Sequence, residues 1–195
     1  MNLLSTLSQK EKEKLLIKRY TANQIIFKEG EHANYVGILV SGAINIESYS
    51  KEGGLIIYNV IYPGEMFGNN LIFSKQQTYL GDVKAKLASE VALINKEDLL
   101  SLLQGNKEFL TSYLAKNAEF SKALNGQVKI LSVNNAKERI LLYLHQHQNS
   151  IKIISVAHFA TSIGLSREAT SRMLSELVKQ KKIKREGNIL SLYEA

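Results

Sequence analysis

The chain has 195 residues, of which 45% are hydrophobic, and a formal net charge of +7. It contains no cysteine, which excludes disulfide bonds and thiolate metal sites, and no run of about 20 apolar residues that would cross a membrane. This length and composition allow one or two domains with buried cores, and we expect a cytoplasmic protein without a signal peptide or membrane segment.

The N-terminal half is expected to contain one short helix and then a series of strands. Ser8 and Glu11 have the spacing of a capping box, which predicts a helix from there to about Arg19. From Asn23 to Asn95, short β-rich runs alternate with glycine-containing turns, and this spacing predicts an all-β roll or barrel. The expected strands are residues 25–27, 35–40, 43–48, 55–61, 65–67, 78–85 and 91–94.

Two helices are expected after the strands, over residues 96–104 and from 107 to about 133. Apolar residues recur at threes and fours along the second helix, and its length suits a seam between two helices. Asn117 interrupts the apolar stripe, where it either sets the pairing register or is solvated. The Asn134-Asn135 pair ends the helix and is the expected domain boundary.

The C-terminal third begins with an expected helix over residues 136–148 and a short strand over 151–154. Two short helices follow, separated by a turn over residues 164–166 that has the three-residue length found in helix-turn-helix units. Residues 179–193 then alternate around Gly187-Asn188, which predicts a β-hairpin wing.

The second of these helices is expected to start after an N-cap at Ser166 and to present a polar face outward. Such a short helix suits base edges and phosphates in a DNA major groove. The base-reading candidates are Arg167, Glu168, Ser171 and Arg172, and the phosphate-contact candidates are Ser155, Ser166, Ser175, Lys184 and Arg185. Residues 134–195 hold 10 Lys and Arg against 5 Glu, so most of the excess positive charge lies here. The alternative is an ordinary pair of helices with a solvated charged face.

The segment GLSREATSRML, residues 164–174, resembles the recognition helix of the Crp/Fnr family of bacterial transcription regulators. In that family two arginines and a glutamate read the half-site, which implies these roles for Arg167, Glu168 and Arg172. The Glu-x-x-Ser-Arg form is similar to the Fnr branch, which implies TTGAT-like half-sites. The β region resembles the family's cyclic-nucleotide-binding-like roll at residues 29–31, 39–42 and 63–68.

The resemblance implies an α+β fold with three parts. These are an N-terminal double-stranded β-helix, or jelly-roll, sensor domain over residues 1–104, a long dimerisation helix over 105–133, and a C-terminal winged helix-turn-helix over 134–195. It further implies a dimeric, sequence-specific regulator that binds palindromic double-stranded DNA. RNA polymerase and an unknown small-molecule effector are further candidate partners.

The expected effector pocket of the roll departs from the cyclic-nucleotide pattern. Its residues are Gly68, Asn69, Asn70, Tyr79 and Leu80. Members of the family that bind cyclic nucleotides carry a glutamate for the ribose where this chain has Asn69. They carry an arginine-serine pair for the phosphate where it has Tyr79 and Leu80. Because an apolar pair cannot neutralise a buried phosphate, we expect no cAMP or cGMP binding of the usual kind.

No metal, cofactor or catalytic residue is expected from the sequence. An iron–sulfur cluster needs cysteines, which the chain lacks. The histidines are expected to be surface or hydrogen-bonded side chains and not haem ligands: His32, His145, His147 and His158. A cupin-like metal enzyme is one alternative, but the β region holds a single histidine. A protein-interaction module with vestigial DNA binding is another, and the intact polar face of the second helix argues against it.

Overall fold

The computed structural model describes residues 3–50 and 52–193. The chain divides into two compact units, Met1–Asn117 and Ala118–Ala195. Among the described residues, no helix has both the length and the apolar character needed to span a bilayer. The domain limits expected at residues 104 and 133 stay predictions.

The N-terminal segment forms one short helix, α1 (Gln9–Lys12). Its capping box is confirmed, because Ser8 N donates to Glu11 Oε2 at 2.8 Å and the Ser8 hydroxyl accepts from Glu11 N at 3.4 Å. Asn106 Nδ2 donates to Glu11 Oε1 at 3.0 Å. Hydrogen bonds from Ser8 and then from Asn106 lower the pKa of Glu11 below its ordinary value. This carboxylate therefore ties the chain start to the segment after the roll.

The prediction that this helix continues to about Arg19 is wrong, because residues 16–20 form strand β1 (Leu16–Tyr20). This strand pairs antiparallel with β8 (Ser89–Asn95), with Lys18 opposite Val91. The ladder with β8 gives these residues backbone hydrogen bonds from a distant part of the chain. Tertiary pairing of this kind outweighs a local preference for helix.

The strands of the first unit form a roll of two antiparallel sheets. The remaining strands are β2 (Ile25–Phe27), β3 (Tyr35–Ser41), β4 (Ile44–Tyr49), β5 (Leu55–Ile61), β6 (Met66–Phe67) and β7 (Asp82–Ala85). The sheet orders are β1-β8-β3-β6 and β2-β7-β4-β5. Each expected run contains a strand, so the predicted roll is confirmed. The run over 78–85 is a strand only from Asp82, and Thr78 instead forms an isolated bridge with His32.

The two helices expected after the roll are confirmed as α2 (Lys96–Gly105) and α3 (Lys107–Leu131). Asn95 caps α2 by accepting a hydrogen bond from Asp98 N at 2.8 Å. Leu102 of α2 and Phe109 of α3 are fully buried in one apolar cluster with strands β3 and β8. These contacts hold both helix starts against the roll.

The second unit contains three helices and a three-stranded antiparallel sheet. Its elements are α4 (Ala136–Gln146), β9 (Ser150–Lys152), α5 (Val156–Ser162), α6 (Arg167–Lys179), β10 (Ile183–Glu186) and β11 (Ile189–Leu192). The sheet order is β10-β11-β9, and the hairpin turn has Gly187 at φ +58. The predicted helix-turn-helix and wing are confirmed, and with the roll they give the expected α+β fold.

Two predicted boundaries in this unit shift. Helix α4 ends at Gln146 and not at 148, because Gln148 and Asn149 have positive φ angles of 58 and 66 that an α-helix cannot contain. The following strand accordingly starts one residue early, at Ser150. The buried core of this unit includes Ile140, Phe159, Ile163, Leu177, Ile183 and Leu190. Leu165 and Met173 pack against this core and are only partly buried.

Candidate nucleic-acid interface

Local capping defines the two helices of the helix-turn-helix. The Ser155 hydroxyl accepts from His158 N at 3.1 Å, and the Ser166 hydroxyl accepts from Ala169 N at 3.1 Å. Each serine satisfies a backbone N–H that the first helical turn would leave without a partner. The sequence therefore fixes where α5 and α6 begin, and so which α6 side chains lie at its N-terminal end.

The turn between α5 and α6 requires glycine. Gly164 has φ +63, and a Cβ at this position would lie 2.6 Å from Leu131 Cδ2. The chain then returns with Leu165 N donating to Ala160 O at 3.0 Å. Ala160 is 2% exposed, as expected of a small residue where two helices cross closely. A side chain at Gly164 would collide with Leu131 and strain the backbone of the turn.

The guanidinium of Arg139 also holds this turn, a role that the sequence did not indicate. Its Nε and Nη2 donate to Val133 O at 3.0 and 2.7 Å, and its Nη1 donates to Ile163 O at 2.9 Å and to Gly164 O at 3.3 Å. One side chain of α4 thus joins the segment before α4 to the turn before α6. Backbone carbonyl acceptors have no sequence signature, so no local signal indicates this role.

The outward face of α6 is exposed along its length. Thr170, Leu174 and Leu177 point inward and are fully buried. The opposite face carries the five exposed candidates Arg167, Glu168, Ser171, Arg172 and Ser175. Within residues 3–50 and 52–193, neither arginine of this face forms a salt bridge. Both guanidinium groups are therefore available to an external partner.

Glu176, which is also on α6, is already paired with a lysine of α4. Lys137 Nζ lies 2.7 Å from Glu176 Oε2, and this hydrogen bond lowers the pKa of Glu176. Because Lys137 neutralises Glu176, the outward face keeps its positive character around Arg172. Ser175 on the same face donates its hydroxyl to Ser171 O at 3.1 Å.

The two basic candidates of the wing are held by weak contacts only. Lys184 Nζ lies 4.9 Å from the centre of the Tyr193 ring, and Arg185 Nε donates to Gly187 O at 3.3 Å. Ser155 and Ser166 are exposed at the N-termini of α5 and α6. These four side chains and Ser175 all reach solvent from the second unit.

In the roll, Tyr79 fills the space between the sheets. Its ring stacks on Phe27 with centroids 4.7 Å apart and planes at 8°, and its hydroxyl donates to Tyr35 O at 3.3 Å. The side chain packs in one cluster with Phe67. Burial raises the pKa of Tyr79 well above its ordinary value, so the phenol is neutral.

The other expected pocket residues do not converge on Tyr79. Gly68 lies beside it, since a Cβ on Gly68 would be 3.4 Å from the Tyr79 hydroxyl. Asn69 Nδ2 instead donates to Asn117 Oδ1 of α3 at 2.8 Å. Leu80 is 73% exposed, and Asn70 is also exposed. Only Gly68 and Tyr79 of the five candidates are therefore in contact.

Asn117, which the sequence left as either a register residue or a solvated one, has both side-chain groups engaged within its own unit. Its Oδ1 accepts from Asn69, and its Nδ2 donates to Tyr113 O at 2.8 Å.

The histidines make local contacts: His32 with Asn34, His145 with Asn149, and His147 with Tyr143 O. Over the described ranges, no three His, Asp or Glu side chains lie together so that they could hold a metal ion.

A family model described as the cyclic nucleotide-binding domain matches residues 17–106. Along nearly its whole length, the chain is 26% identical over 187 residues to the cAMP-activated global transcriptional regulator CRP of Salmonella typhimurium, covering 91% of this chain and 89% of that protein. The chain is therefore similar along most of its length to regulators of the CRP type. It is also 26% identical to the cAMP-activated global transcriptional regulator Vfr of Pseudomonas aeruginosa, over 90% of this chain and 88% of Vfr.

Solved structures of other proteins share the fold of this chain. A CooA mutant from Carboxydothermus hydrogenoformans matches with a TM-score of 0.76 at 15% identity, covering 100% of this chain and 92% of that one. FixK2 from Bradyrhizobium japonicum matches with a TM-score of 0.62 at 21% identity, covering 92% and 93%. The curated relatives are named as transcription regulators.

Proposed function

We propose that the protein acts as a homodimer that binds palindromic DNA with TTGAT-like half-sites and does not respond to cAMP. The observation that carries the proposal is the outward face of α6. It exposes Arg167, Glu168, Ser171 and Arg172 beside one another on a helix whose opposite face is buried. A helix with this polarity inserts into a major groove and presents its N-terminal side chains to base edges.

The donors and acceptors of this face match base edges of both kinds. Arg167 and Arg172 each offer the bidentate donor pair that guanine O6 and N7 accept, and Glu168 accepts from the cytosine N4 amino group. Ser171 can donate to or accept from either. Because neither arginine forms a salt bridge within the described residues, no such ion pair has to break on binding.

Phosphate contacts would position this helix on the duplex. The candidates remain Ser155, Ser166, Ser175, Lys184 and Arg185, all of which are exposed. Hydroxyls at helix N-termini and cations on a wing are typical donors to phosphate oxygens. Each cation that neutralises a phosphate should add about one unit to the salt dependence of binding.

The exposed stripe of α3 supports the dimer. Its large apolar side chains are solvent-accessible in the single chain, with Leu114 57%, Phe120 37%, Leu124 49%, Val128 62% and Leu131 45% exposed. Burying such a stripe against a second copy removes apolar surface from water. A dimer also supplies two recognition helices, which a palindromic site requires.

Two features of the roll support independence from cAMP. The Tyr79 ring lies where the family's phosphate-binding arginine would be, and it is 4% exposed. Asn69, at the position of the ribose-binding glutamate, is bonded to Asn117. A cyclic phosphate entering here would have to displace Tyr79, and neither Tyr79 nor Leu80 could neutralise it. RNA polymerase and a small-molecule effector of another kind are further partners that the family suggests.

Binding to a designed duplex tests the proposal. We expect the protein to prefer a palindrome of two TTGAT half-sites, centred roughly one helical turn (about 10 bp) apart, over a scrambled duplex in moderate salt. Fluorescence anisotropy measures the affinity for each duplex, and sedimentation velocity tests whether the protein is a dimer. In calorimetric titrations with cAMP we expect no heat of binding. A monomer, or equal affinity for both duplexes, would contradict the proposal and favour the vestigial interaction module.

A further inference from the structure

A cavity of about 550 Å³, largely open to solvent, lies at the surface of the second unit, and no α6 residue lines it. It is bounded by the end of α4, by β9 and by the side of α5 that carries His158, Phe159 and Ser162. Phe159, which is 1% exposed, and Ile153, which is 5% exposed, line its inner part. Sites for small molecules usually enclose roughly 300–1,000 Å³, so this volume is of the size that one such ligand fills.

The apolar part of the cavity wall is formed by aromatic and aliphatic side chains. The Tyr143 ring stacks on His147 with centroids 4.2 Å apart and meets Phe159 edge-on at 5.3 Å. Ile151 and Ile154 add aliphatic surface, and Ile154 is 66% exposed. An exposed isoleucine beside a cavity is surface that a partly apolar ligand would cover.

The cavity lining offers one ammonium group and no carboxylate. Its lining contains no aspartate or glutamate and includes Lys152 and His158. Neither of these two side chains forms a salt bridge or an internal hydrogen bond with the rest of the described chain. The ammonium of Lys152 therefore stands beside apolar walls without a carboxylate, which is the arrangement that an amphipathic anion complements.

We infer that this cavity binds a small amphipathic carboxylate, either an aromatic or a medium-chain fatty acid anion. The apolar part lies against Tyr143, Ile153 and Phe159, and the carboxylate pairs with Lys152. Such a ligand contacts α5, the helix that packs on α6, so its site is inside the DNA-reading unit. The inference goes beyond the proposed function, because neither the palindrome nor the dimer is needed for it.

The fluorescent anion 1-anilinonaphthalene-8-sulfonate is a suitable probe, with the intact chain as the protein. We expect one saturable site per chain within this unit, from which octanoate and indole-3-acetate displace the dye. Octylamine and tryptamine keep the apolar part and replace the anion by a cation, so we expect them not to displace it. Displacement by the amines as effective as by the acids would overturn the inference.

Two charge reversals make the test specific. Lys152→Glu places an acid at the cavity, whereas the control Lys182→Glu makes the same charge change at an exposed residue outside its lining. We expect dye affinity to fall at least tenfold in the first variant and to change less than twofold in the second. Ile154→Glu is a second variant at an exposed wall residue and should weaken dye binding similarly.

Equal dye affinity in all variants would refute the site. Another refuting outcome is unchanged dye binding in Lys152→Glu together with loss of transcription activation by purified RNA polymerase, since the cavity would then be part of a protein-docking surface. Circular dichroism spectra and melting curves must match between the Lys152 and Lys182 variants before affinities are compared.

Discussion

Replacement of Arg139 by methionine should disturb the helix-turn-helix more than any exposed arginine replacement in this unit. Methionine keeps an unbranched stem of similar length, so the packing of α4 is largely retained. What it removes is the guanidinium that joins Val133 O to the carbonyls of Ile163 and Gly164. The turn between α5 and α6 then loses its only side-chain link to the start of α4 among the hydrogen bonds described.

The expected cost follows from the number and quality of these bonds. The guanidinium makes four of them, at 2.7, 2.9, 3.0 and 3.3 Å, but two share one acceptor and the longest is weak. A hydrogen bond from a charged group contributes about 1.5–3 kcal/mol. Because Arg139 is only half-buried and water can replace part of the bonding, we expect Arg139→Met to destabilise this unit by about 2–4 kcal/mol.

Hydrogen exchange measured by mass spectrometry isolates the effect, since the chain has two units and need not unfold in one step. At tenfold per 1.4 kcal/mol, peptides of α5 and α6 should exchange about 30-fold or more faster in the variant. Arg185→Met is the matched control, because Arg185 makes one 3.3 Å bond on the exposed wing. Equal protection in the two variants would refute the role assigned to Arg139.

Three further predictions concern DNA binding by Arg172, the positive φ angle of Lys181 and the buried side chain of Tyr79 in the roll. Arg172→Ala should weaken binding to the palindrome by about 1–3 kcal/mol in anisotropy titrations and affect scrambled DNA much less. Lys181 has φ +54 at the position after α6 where glycine is preferred, so Lys181→Gly should raise stability by about 0.5–1 kcal/mol in thermal melts. Tyr79 has a raised pKa in the folded state, so the stability that it contributes is present below its unfolded pKa and is lost as pH rises above it. Tyr79→Phe should reduce this alkaline loss in urea titrations at several pH values.

Each of these has an outcome that contradicts it. Equal losses on both duplexes would mean that Arg172 touches only backbone. The control for Lys181 is Lys182→Gly, at a residue without a positive φ, and this substitution should lower stability. If both substitutions changed stability in the same direction, backbone strain at Lys181 would not be the cause. Identical alkaline profiles for Tyr79→Phe and the parent chain would place the loss on another tyrosine, such as Tyr113, whose pKa burial also raises.

The helix-turn-helix could be predicted from the sequence because the interactions that define it are between residues close together in the chain. Ser155 and Ser166 cap helices three residues away, and Gly164 takes a backbone conformation that few other residues adopt. The helical spacing of the α6 side chains alone separates Thr170, which is buried, from Arg167 on the exposed face. Such signals span one or two turns, so no knowledge of distant chain is needed to interpret them.

The tertiary structure decided features whose partners are far apart in sequence. Strand β1 exists because β8 lies beside it, although residues 16–20 follow a helix signal. Asn117 bonds to Asn69 across 48 residues, and Arg139 bonds to backbone carbonyls that any sequence provides. Whether Tyr79 lines an open pocket or fills it depends on the rings packed around it. Local sequence sets caps, turns and periodicity, whereas strand pairing and side-chain partners are set by free energies summed over contacts that only folding brings together.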